Sequence, residues 1–513
     1  MSKSTITIDP VTRIEGHLAV RVEQENGLTT QARCSGTLFR GLEIILRGRD
    51  PRDAPIYTQR ICGVCPQAHA TASARALDEA FGLKDRIPPN GLLLRDIMLG
   101  SNFMQSHILH FYHLAALDYV DVTAVKDYAG SDSDLLSVKD FIGRGSLAPF
   151  VPRYEGDYRL SADENRAAVK HYVEALEVRK NAHELVAIFG GKMPHQCTVV
   201  VGGVATQVTA DKVIAALSYV RRIEEFIDRC YIPDILLLTK RYADYLDIGA
   251  GCGRFLSCGG FAGAGAALFD SGVVEVGRQV EQFVPDKIAE KVKSSYYADA
   301  CAADTPFESR TEPDRGKQGA YSWLKSPRYE GRVCEVGPLA RTMVSYGKGN
   351  ARTKAAVDGL LRAAGVGVGK LNSTLGRHAA RALEAKLVAQ ALQEWLLALR
   401  PGEPCNIRVE VPKQGRGMGL TEAPRGALGH WVVIEGGKIA NYQAVVPTTW
   451  NGSPRDADGA PGPIEQAIEN VKLNDVDNPY ELVRIIRSFD PCLACAVHVM
   501  HPKGCVRVEM PVV

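Results

Sequence analysis

The start of the chain alternates polar and apolar residues, a pattern typical of β-strands. The alternation recurs in STITIDP, HLAVRVEQ and TTQARCSG within the first 40 residues, and many of its apolar positions are β-branched. Near residue 67 the spacing of apolar residues becomes helical. We therefore predict a β-containing N-terminal region, followed by a core of long helices.

The first two helical segments predict one buried helix and one well-capped helix. Residues 90–120 are apolar on most faces, which indicates a helix buried inside a bundle. The next helix is predicted to begin at a capping box formed by Ser161 and Glu164. It should stop at Gly190-Gly191, because glycine commonly ends helices.

Two further helices are predicted on either side of an irregular region. Residues 209–231 begin at a threonine cap and should stop before Pro233, and residues 373–400 should stop before Pro401. Residues 245–345 are glycine-rich and irregular, so no element is predicted there.

Strand patterns return near the C-terminus, in CNIRVEV (405–411) and on both sides of Gly436-Gly437, which marks a hairpin. We therefore predict an α+β fold, with a long-helix bundle core and β-containing peripheral regions, forming one composite body. Its predicted regions are a β region over about 1–40, a helical core over 67–245 and 350–400, and a β/α region from 403 onward.

The composition describes a globular protein and argues against several functional classes. Of the 513 residues, 45% are hydrophobic and 23% are charged, and the formal charge of +2 argues against a broad basic face for nucleic acid. No apolar run approaches the ~18 residues of a membrane span, and the N-terminus lacks the apolar stretch of a signal peptide. Thirteen cysteines in so long a chain favour reduced thiols, some of them metal ligands.

Two weaker patterns favour structural roles. The stretch GVGVGKLN has Ala364 and Leu371 where a phosphate-binding loop needs glycine and then serine or threonine, so nucleotide binding is rejected. His107, His110 and His113 recur at a spacing of three, which drifts around a helix, and they have aromatic neighbours. We predict hydrogen-bonded core histidines rather than a metal-binding face.

Two CxxC pairs offer the strongest chemical signal. Cys62 and Cys65 lie in RICGVCPQAH, and Cys492 and Cys495 lie in DPCLACAVH, more than four hundred residues away. Four thiolates can bind a soft metal, or two metals if two sulfurs are shared. A structural zinc site with four cysteine ligands usually has its pairs about 12–20 residues apart in a small domain. The spacing therefore favours a catalytic soft-metal site, and zinc remains the alternative.

Seven motifs spread over the chain carry a family resemblance. They are RIEGH (13–17), RICGVCPQAH (60–69), HFYHLAALD (110–118), PH…VGGV (194–204), EAPRGALGHW (422–431), VVPTTWNGSPRD (445–456) and DPCLACAVH (490–498). In this order they resemble the large, catalytic subunit of nickel–iron hydrogenases. Related respiratory complex I subunits share that family's fold but lack the four cysteines, so the resemblance is to the hydrogenase branch.

The resemblance implies a nickel–iron centre bound by the four thiolates. Cys62 and Cys492 would be the terminal ligands of nickel, and Cys65 and Cys495 would bridge nickel to iron. His69 would donate a hydrogen bond to a bridging sulfur and tune its basicity.

The iron of this family also carries CO and two cyanides. The resemblance implies a pocket for them around Arg425, Pro424, Pro447 and the Thr448 hydroxyl, with Asp490 nearby. The chemistry is suitable, because a cyanide nitrogen accepts hydrogen bonds from guanidinium, hydroxyl or backbone N–H groups.

The implied reaction is heterolytic cleavage of H2, which needs a base for the proton. The resemblance favours the Cys492 thiolate as that base, with Arg425 as the rival candidate. Glu15 would relay the proton outward, since a partly buried carboxylate can accept and release it near neutral pH. From the residues alone, Arg425 would be interpreted as a surface ion-pair residue and Glu15 as a strand-end carboxylate.

The resemblance implies that residues 499–513 are a cleavable maturation extension, so that the composite body spans 1–498 and its C-terminal β/α region spans 403–498. In the family an endopeptidase removes such a tail after the histidine of DPCxxCxxH once nickel is inserted, which here means between His498 and Val499. His498 would then bind a buried Mg2+ together with Glu43 and the Ala444 carbonyl. The alternative is an imidazole with no metal of its own.

One position departs from the family pattern. Many relatives have an aspartate beside the active-site arginine where the motif alignment puts Ser106 in this chain. Because serine carries no charge, we expect Arg425 to depend on other partners, Asp490 among them.

The sequence thus predicts a hydrogenase large subunit that takes up H2. Its electrons would pass to an iron–sulfur small subunit in a heterodimer, or in a dimer of heterodimers. Assembly would also need the endopeptidase and nickel- and iron-insertion proteins. The alternatives are a hydrogen sensor on the same scaffold, which commonly lacks the tail, and a zinc-stabilised structural subunit of a respiratory complex. A membrane-associated or periplasmic location through the small subunit is expected.

Overall fold

The computed structural model describes residues 3–145, 150, 156–263 and 265–496. His498 and Val499, and the side chain of Cys495, lie outside this description. The strands are β1 Lys3–Ile8, β2 Leu18–Glu25, β3 Leu28–Gly36, β4 Val199–Val200, β5 Gly203–Val204, β6 Arg254–Gly260, β7 Phe269–Glu275, β8 Ile288–Lys291, β9 Ser326–Tyr329, β10 Gln414–Ala423, β11 Gly426–Glu435 and β12 Lys438–Val445.

The helices include the four long ones that the sequence predicts. In chain order they are α1 Leu42–Leu46, α2 Ala54–Thr58, α3 Pro66–Ala80, α4 Pro89–Ile108, α5 Ser133–Gly143, α6 Ala162–Gly190, α7 Ala210–Phe226, α8 Ile232–Arg241, α9 Pro338–Gly347, α10 Ala351–Ala364, α11 Thr374–Ala398, α12 Pro447–Asn451, α13 Pro463–Ile468, α14 Tyr480–Ser488 and α15 Leu493–Ala496. No helix in the described ranges is both long and apolar enough to cross a membrane.

The α+β prediction is confirmed. Helices α4, α6, α7 and α11 pack against one another and form the bundle core. The sheets are antiparallel, and the two larger ones have the strand orders β1-β2-β3 and β10-β11-β12. The largest hydrophobic cluster contains residues from both ends of the chain, from Val11 to Leu493, and includes residues of the bundle and of both larger sheets. Two smaller clusters bury most of the other apolar residues of β11 and β12.

Several local predictions are also confirmed. Ser161 and Glu164 form the capping box of α6, and Gly191 ends that helix with a φ of 81°. The hairpin at Gly436-Gly437 joins β11 to β12. The histidines of α4 and the turn after it are hydrogen-bonded within the core or at its edge: His107 to Glu384, His110 to the Arg487 carbonyl and His113 to the Tyr172 carbonyl.

Two local predictions are wrong. The helix that begins after Thr209 does not stop before Pro233. It continues through a π-helical segment, Ile227–Tyr231, into α8, and this segment changes the hydrogen-bond spacing just before Pro233. The segment 405–411 is not a strand and makes only an isolated bridge between Asn406 and Gly203. The strand lies further along the chain, in β10.

Strand β10 packs unusually closely against helix α3. Every second residue of the strand, Gly415, Gly417 and Gly419, faces the helix, and a Cβ at any of the three would lie less than 3.0 Å from a backbone carbonyl oxygen of α3. The carbonyls belong to Ala80, Ala76 and Ala72, which follow the four-residue spacing of one helix face. Glycine and alanine thus allow the helix backbone to lie directly on the sheet.

Candidate metal centre

Three of the four predicted cysteines converge in the interior. The sulfur atoms of Cys62, Cys65 and Cys492 all lie within 4.8 Å of one another, and each residue is at most 2% exposed. The closest pair, Cys62 Sγ and Cys492 Sγ, is 3.4 Å apart. Among the described residues this is the group of His, Cys, Asp and Glu side chains that is compact enough to bind a metal ion. The backbone of Cys495 lies in α15, directly after Cys492.

The first cysteine pair is held at the beginning of α3. Cys65 is the N-cap residue and Pro66 the first residue of the helix, where proline is favoured. The backbone N–H groups of Val64 and Cys65 point to Cys62 Sγ at 3.2 and 3.4 Å. Such N–H···S contacts stabilise negative charge on the sulfur, which suits a thiolate ligand.

The second pair is held by the N-terminal segment. Glu15 and Cys492 form an isolated parallel bridge, in which Leu493 N–H donates to the Glu15 carbonyl at 2.7 Å. The neighbouring Gly16 has a φ of 81°, and a Cβ there would lie 2.6 Å from the nitrogen of Ala494. Glycine in RIEGH therefore permits the close approach of the two ends of the chain.

The Glu15 carboxylate contacts the cysteine cluster directly. Its Oε2 accepts hydrogen bonds from Cys492 Sγ at 3.1 Å and from Ala494 N–H at 3.0 Å. Burial raises the pKa of Glu15 to about 7, and the nearby Cys62 adds to the rise, whereas the contacts with Cys492 and Arg425 oppose it. Glu15 is only partly buried, whereas its thiol partner Cys492 is fully buried.

Arg425 lies at the tip of the β10–β11 hairpin, on another side of the cluster. The two-residue turn consists of Pro424 and Arg425, because Ala423 pairs with Gly426. Arg425 Nη2 lies 2.9 Å from Asp490 Oδ1, although the two are not aligned as a hydrogen bond, and its Nε donates to the Asp490 carbonyl at 3.0 Å. Burial would lower the pKa of Arg425, but Asp490 and the thiols outweigh it and raise that pKa.

Ser106 faces the same guanidinium. Its hydroxyl lies 3.4 Å from Arg425 Nη1, at the long end of hydrogen-bond distance. Asp118 lies elsewhere and pairs with Arg13 and Arg487. In the described structure Asp490 is therefore the acidic partner of Arg425.

Thr448, the second residue of α12, anchors the second cysteine motif. Its hydroxyl accepts a hydrogen bond of 2.9 Å from Cys492 N–H. Pro447 is the first residue of that helix. Thr448 therefore helps to position the second cysteine motif, whereas its predicted place beside the iron ligands stays a prediction.

The comparisons with known proteins agree with this geometry. A family model described as "Nickel-dependent hydrogenase" matches residues 40–498, and a second, described as "HoxL-like", matches residues 5–35.

The chain belongs to the nickel-dependent hydrogenase family.

Its similarity to other hydrogenase large subunits extends over almost the entire chain. It is 41% identical to the periplasmic NiFeSe hydrogenase large subunit of Desulfomicrobium baculatum (97% of this chain, 96% of the relative) and 38% identical to the uptake hydrogenase large subunit of Rhizobium leguminosarum bv. viciae (98% and 96%). The as-isolated oxidised NiFeSe hydrogenase of Desulfovibrio vulgaris Hildenborough has a TM-score of 0.86 at 42% identity (97% and 100%).

Family membership settles the class of protein. The chain is the catalytic large subunit of a nickel–iron hydrogenase and acts in H2 oxidation, and the alternative of a zinc-stabilised respiratory subunit is rejected. Although its relatives include enzymes named for selenium, this chain has cysteine at all four positions of the two CxxC motifs.

The surroundings of Glu43 in this hydrogenase form a second polar cluster. Glu43 accepts a hydrogen bond of 3.0 Å from Ala444 N–H and another from the Thr311 hydroxyl. Lys325 lies close by, between Glu290 Oε2 at 3.2 Å and Gln443 Oε1 at 2.9 Å. Two buried carboxylates thus face one ammonium, which gives the cluster a negative formal charge.

Sequence reasoning missed two arginines that hold the hydrogenase site together. Arg341 donates to the carbonyls of Ala423 and Pro424 at 2.9 Å each, and it pairs with Glu384 and Glu422, so that it fixes the hairpin tip. Arg40 donates to the carbonyls of Ile61 and Ala494 and so joins the two cysteine motifs. Neither lies at a metal-ligand spacing, so no local signal could have found them.

Proposed function

We propose that Cys62, Cys65, Cys492 and Cys495 bind a nickel–iron centre, with Cys62 and Cys492 as terminal nickel ligands and the other two as bridges. The supporting observation is the convergence of three buried sulfurs from both CxxC motifs within 4.8 Å. The donor set fits, since soft thiolates bind soft and borderline metals. When bound, such a centre supplies the Lewis acidity that polarises H2 and the capacity to accept its electrons.

Cys492 is the proposed base and Glu15 the first relay of the proton. The Cys492 thiol donates a hydrogen bond to the Glu15 carboxylate, at 3.1 Å. Glu15 is partly buried, whereas Cys492 is fully buried, so a proton received on Oε2 has moved to the more exposed of the two groups and can leave from there toward solvent.

Arg425 has a different proposed role from that of the thiols. Its pairing with Asp490 keeps it charged, which makes it a poor base and a strong hydrogen-bond donor. Together with the Thr448 hydroxyl and the backbone around Pro424 and Pro447, it would hold CO and two cyanides on the iron. A charged donor at this position suits an anionic diatomic ligand.

The proposed partner is an iron–sulfur small subunit. Its docking surface is supported by four apolar residues on or beside α1 and α2 that are between 39% and 51% exposed: Leu38, Ile44, Ile45 and Ile56. These helices contact each other and precede the first cysteine motif, so a partner bound there would lie near the metal centre. A signal on that subunit would bring the complex to the membrane or periplasm, the location in the name of the Desulfomicrobium baculatum relative.

Maturation is proposed to end with cleavage between His498 and Val499 by an endopeptidase, after nickel and iron insertion. Mg2+ would then bind Glu43, the Ala444 carbonyl and His498. The negative charge of the Glu43 cluster supports the cation. Mass spectrometry of active protein should give a chain that ends at His498, and active, nickel-containing protein that ends at Val513 would refute the cleavage.

The proton route can be tested with Glu15→Gln. Glutamine keeps the shape and the hydrogen bond from Ala494 but cannot ionise, so turnover should fall by ~10²-fold while nickel content is unchanged. Glu23→Gln, on the exposed face of β2, is the matched control and should retain full turnover. Full turnover in Glu15→Gln would remove Glu15 from the route.

A further inference from the structure

Three buried side chains form a hydrogen-bonded chain that leads away from the cysteine cluster. His69 Nδ1 lies 3.2 Å from His430 Nε2, and His430 Nδ1 lies 2.7 Å from the Tyr442 hydroxyl. Each of the three residues is at most 1% exposed. Neither His430 nor Tyr442 belongs to the site that the sequence predicts.

The fold explains why these three residues meet. His430 lies in β11, opposite Ala444 of β12, so Tyr442 is its diagonal neighbour on the same face of the sheet. His69 lies in the first turn of α3, four residues after Cys65 and on the same side of the helix. The close packing of α3 on the sheet brings His69 against His430.

The phenol of Tyr442 determines where the protons of the chain lie. Burial raises its pKa, so it keeps its proton; the nearby Ser73 hydroxyl opposes that shift but is not aligned as a hydrogen-bond partner. If His430 donated to the phenol oxygen, the phenol O–H would be buried without an acceptor, which is unfavourable. The phenol therefore donates to His430 Nδ1.

The remaining proton positions follow from that donation. His430 with an acceptor at Nδ1 carries its proton on Nε2 and donates it to His69 Nδ1. His69 then carries its own proton on Nε2, its second ring nitrogen, and the Cys62 thiol is close enough to act electrostatically on that imidazole. Metal-bound thiolates have no proton and act only as acceptors, so an N–H there is favourable and a lone pair is not.

We propose that His430 and Tyr442 are positioning residues that hold His69 as its Nε2–H tautomer, so that it presents a hydrogen-bond donor to a bridging sulfur of the proposed metal centre. A donor at that sulfur lowers its basicity, and losing the donor makes the metal centre more electron-rich. The effect on the metal rests on the proposed function of the thiolates. The tautomer of His69 is independent of that proposed function, because the phenol of Tyr442 determines it.

The test is nitrogen NMR of the full-length protein labelled with 15N-histidine, with the His69 signals assigned by His69→Gln. Protonated and unprotonated ring nitrogens have different shifts, so the tautomer is read directly, with or without metal. Tyr442→Phe removes only the hydroxyl, and His430→Leu removes the donor to His69. Two variants are controls: His430→Gln keeps an N–H donor, and Tyr119→Phe removes a buried hydroxyl that has no partner among the described residues.

We expect the parent, His430→Gln and Tyr119→Phe to show His69 protonated on Nε2. Tyr442→Phe and His430→Leu should show a mixture of tautomers, a shift of the iron-ligand infrared bands to lower wavenumber and a fall in turnover of about tenfold. Unchanged His69 shifts in both variants would overturn the proposal, as would an equal effect of Tyr119→Phe. If the purified protein contains no nickel but shows the expected His69 tautomers, the proposed nickel–iron centre is refuted and the tautomer proposal stands.

Discussion

The two cysteine motifs are held in place by different means. Cys62 and Cys65 directly precede a fifteen-residue helix, α3, whose alanines pack closely against the glycines of β10. Cys492 precedes a four-residue helix, α15, and the second motif is held by hydrogen bonds from three distant segments, those of Thr448, Glu15 and Arg40. The first motif is therefore positioned by the folding of the body, and the second by contacts that can form last.

This difference suggests an order of assembly. A rigid first motif can bind metal while the second is still displaced, because the tethers of Cys492 are few hydrogen bonds and a short β-bridge. Closing the second motif then completes the ligand set. The proposed removal of residues after His498 fits this order, since it acts on the end of the chain that closes last.

The largest effect is expected from loss of a thiolate in the second motif. Cys492→Ala should abolish nickel binding and H2 oxidation because it removes a proposed nickel ligand, and the unfolding of the body should change little. Metal analysis and thermal unfolding measure the two effects separately. Cys34→Ala, which removes a buried thiol outside the cluster, should retain nickel. A nickel-replete Cys492→Ala would refute the assignment.

The next effect tests the rigid support of the first motif. In Gly417→Ala the new methyl group would overlap the Ala76 carbonyl, so α3 must move away from β10. We expect the free energy of unfolding to fall by about 3 kcal/mol, the upper end for overpacking. Gly359→Ala in α10 has open space and should be neutral or slightly stabilising. Equal unfolding curves for both variants would mean that the close packing contributes nothing.

A smaller effect is expected from a single tether of the second motif. Thr448→Val keeps the shape of the side chain but leaves Cys492 N–H without its acceptor, so nickel retention should fall by about tenfold with little change in unfolding. Competition with a chelator measures the retention. Thr421→Val, which removes a buried hydroxyl without a partner among the described residues, serves as control. If both variants hold nickel equally, the tether has no role.

The smallest effect concerns Ser106. Ser106→Asp would give Arg425 a second carboxylate in a buried site and place negative charge beside the metal centre. We expect normal metal content and a severalfold change in H2 oxidation or in its recovery after oxygen exposure, whereas Ser106→Ala should change little. Parent-like rates in Ser106→Asp would show that the position is only a packing site.

The sequence predicted those parts of the molecule whose signals are local. The capping box at Ser161 and the glycine pair at 436–437 each act within a few residues, and both elements form as expected. Strand β10 was not predicted, because its alternating glycines give no apolar pattern. Those glycines instead leave room for the backbone of α3. Segment 405–411 was wrongly predicted as a strand, because its residue types are those of a strand although it forms only the isolated bridge at Asn406.

The candidate site shows the same division. Glu15, Arg425 and the cysteines lie in motifs that a family resemblance identifies, and the structure brings their described atoms together. The supports of the site depend on contacts across hundreds of residues, as in the bonds from Arg40 to Ala494 and from His69 to His430. No spacing rule along the chain encodes such contacts.

The most direct test of the central claim is the metal content of the purified protein, measured together with its infrared spectrum. The account predicts stoichiometric nickel, iron bound at the same site, and infrared bands from CO and cyanide on that iron, all lost in Cys62→Ala and Cys492→Ala alike. Stoichiometric zinc without nickel and without those bands would contradict the assignment of the four thiolates to a nickel–iron centre.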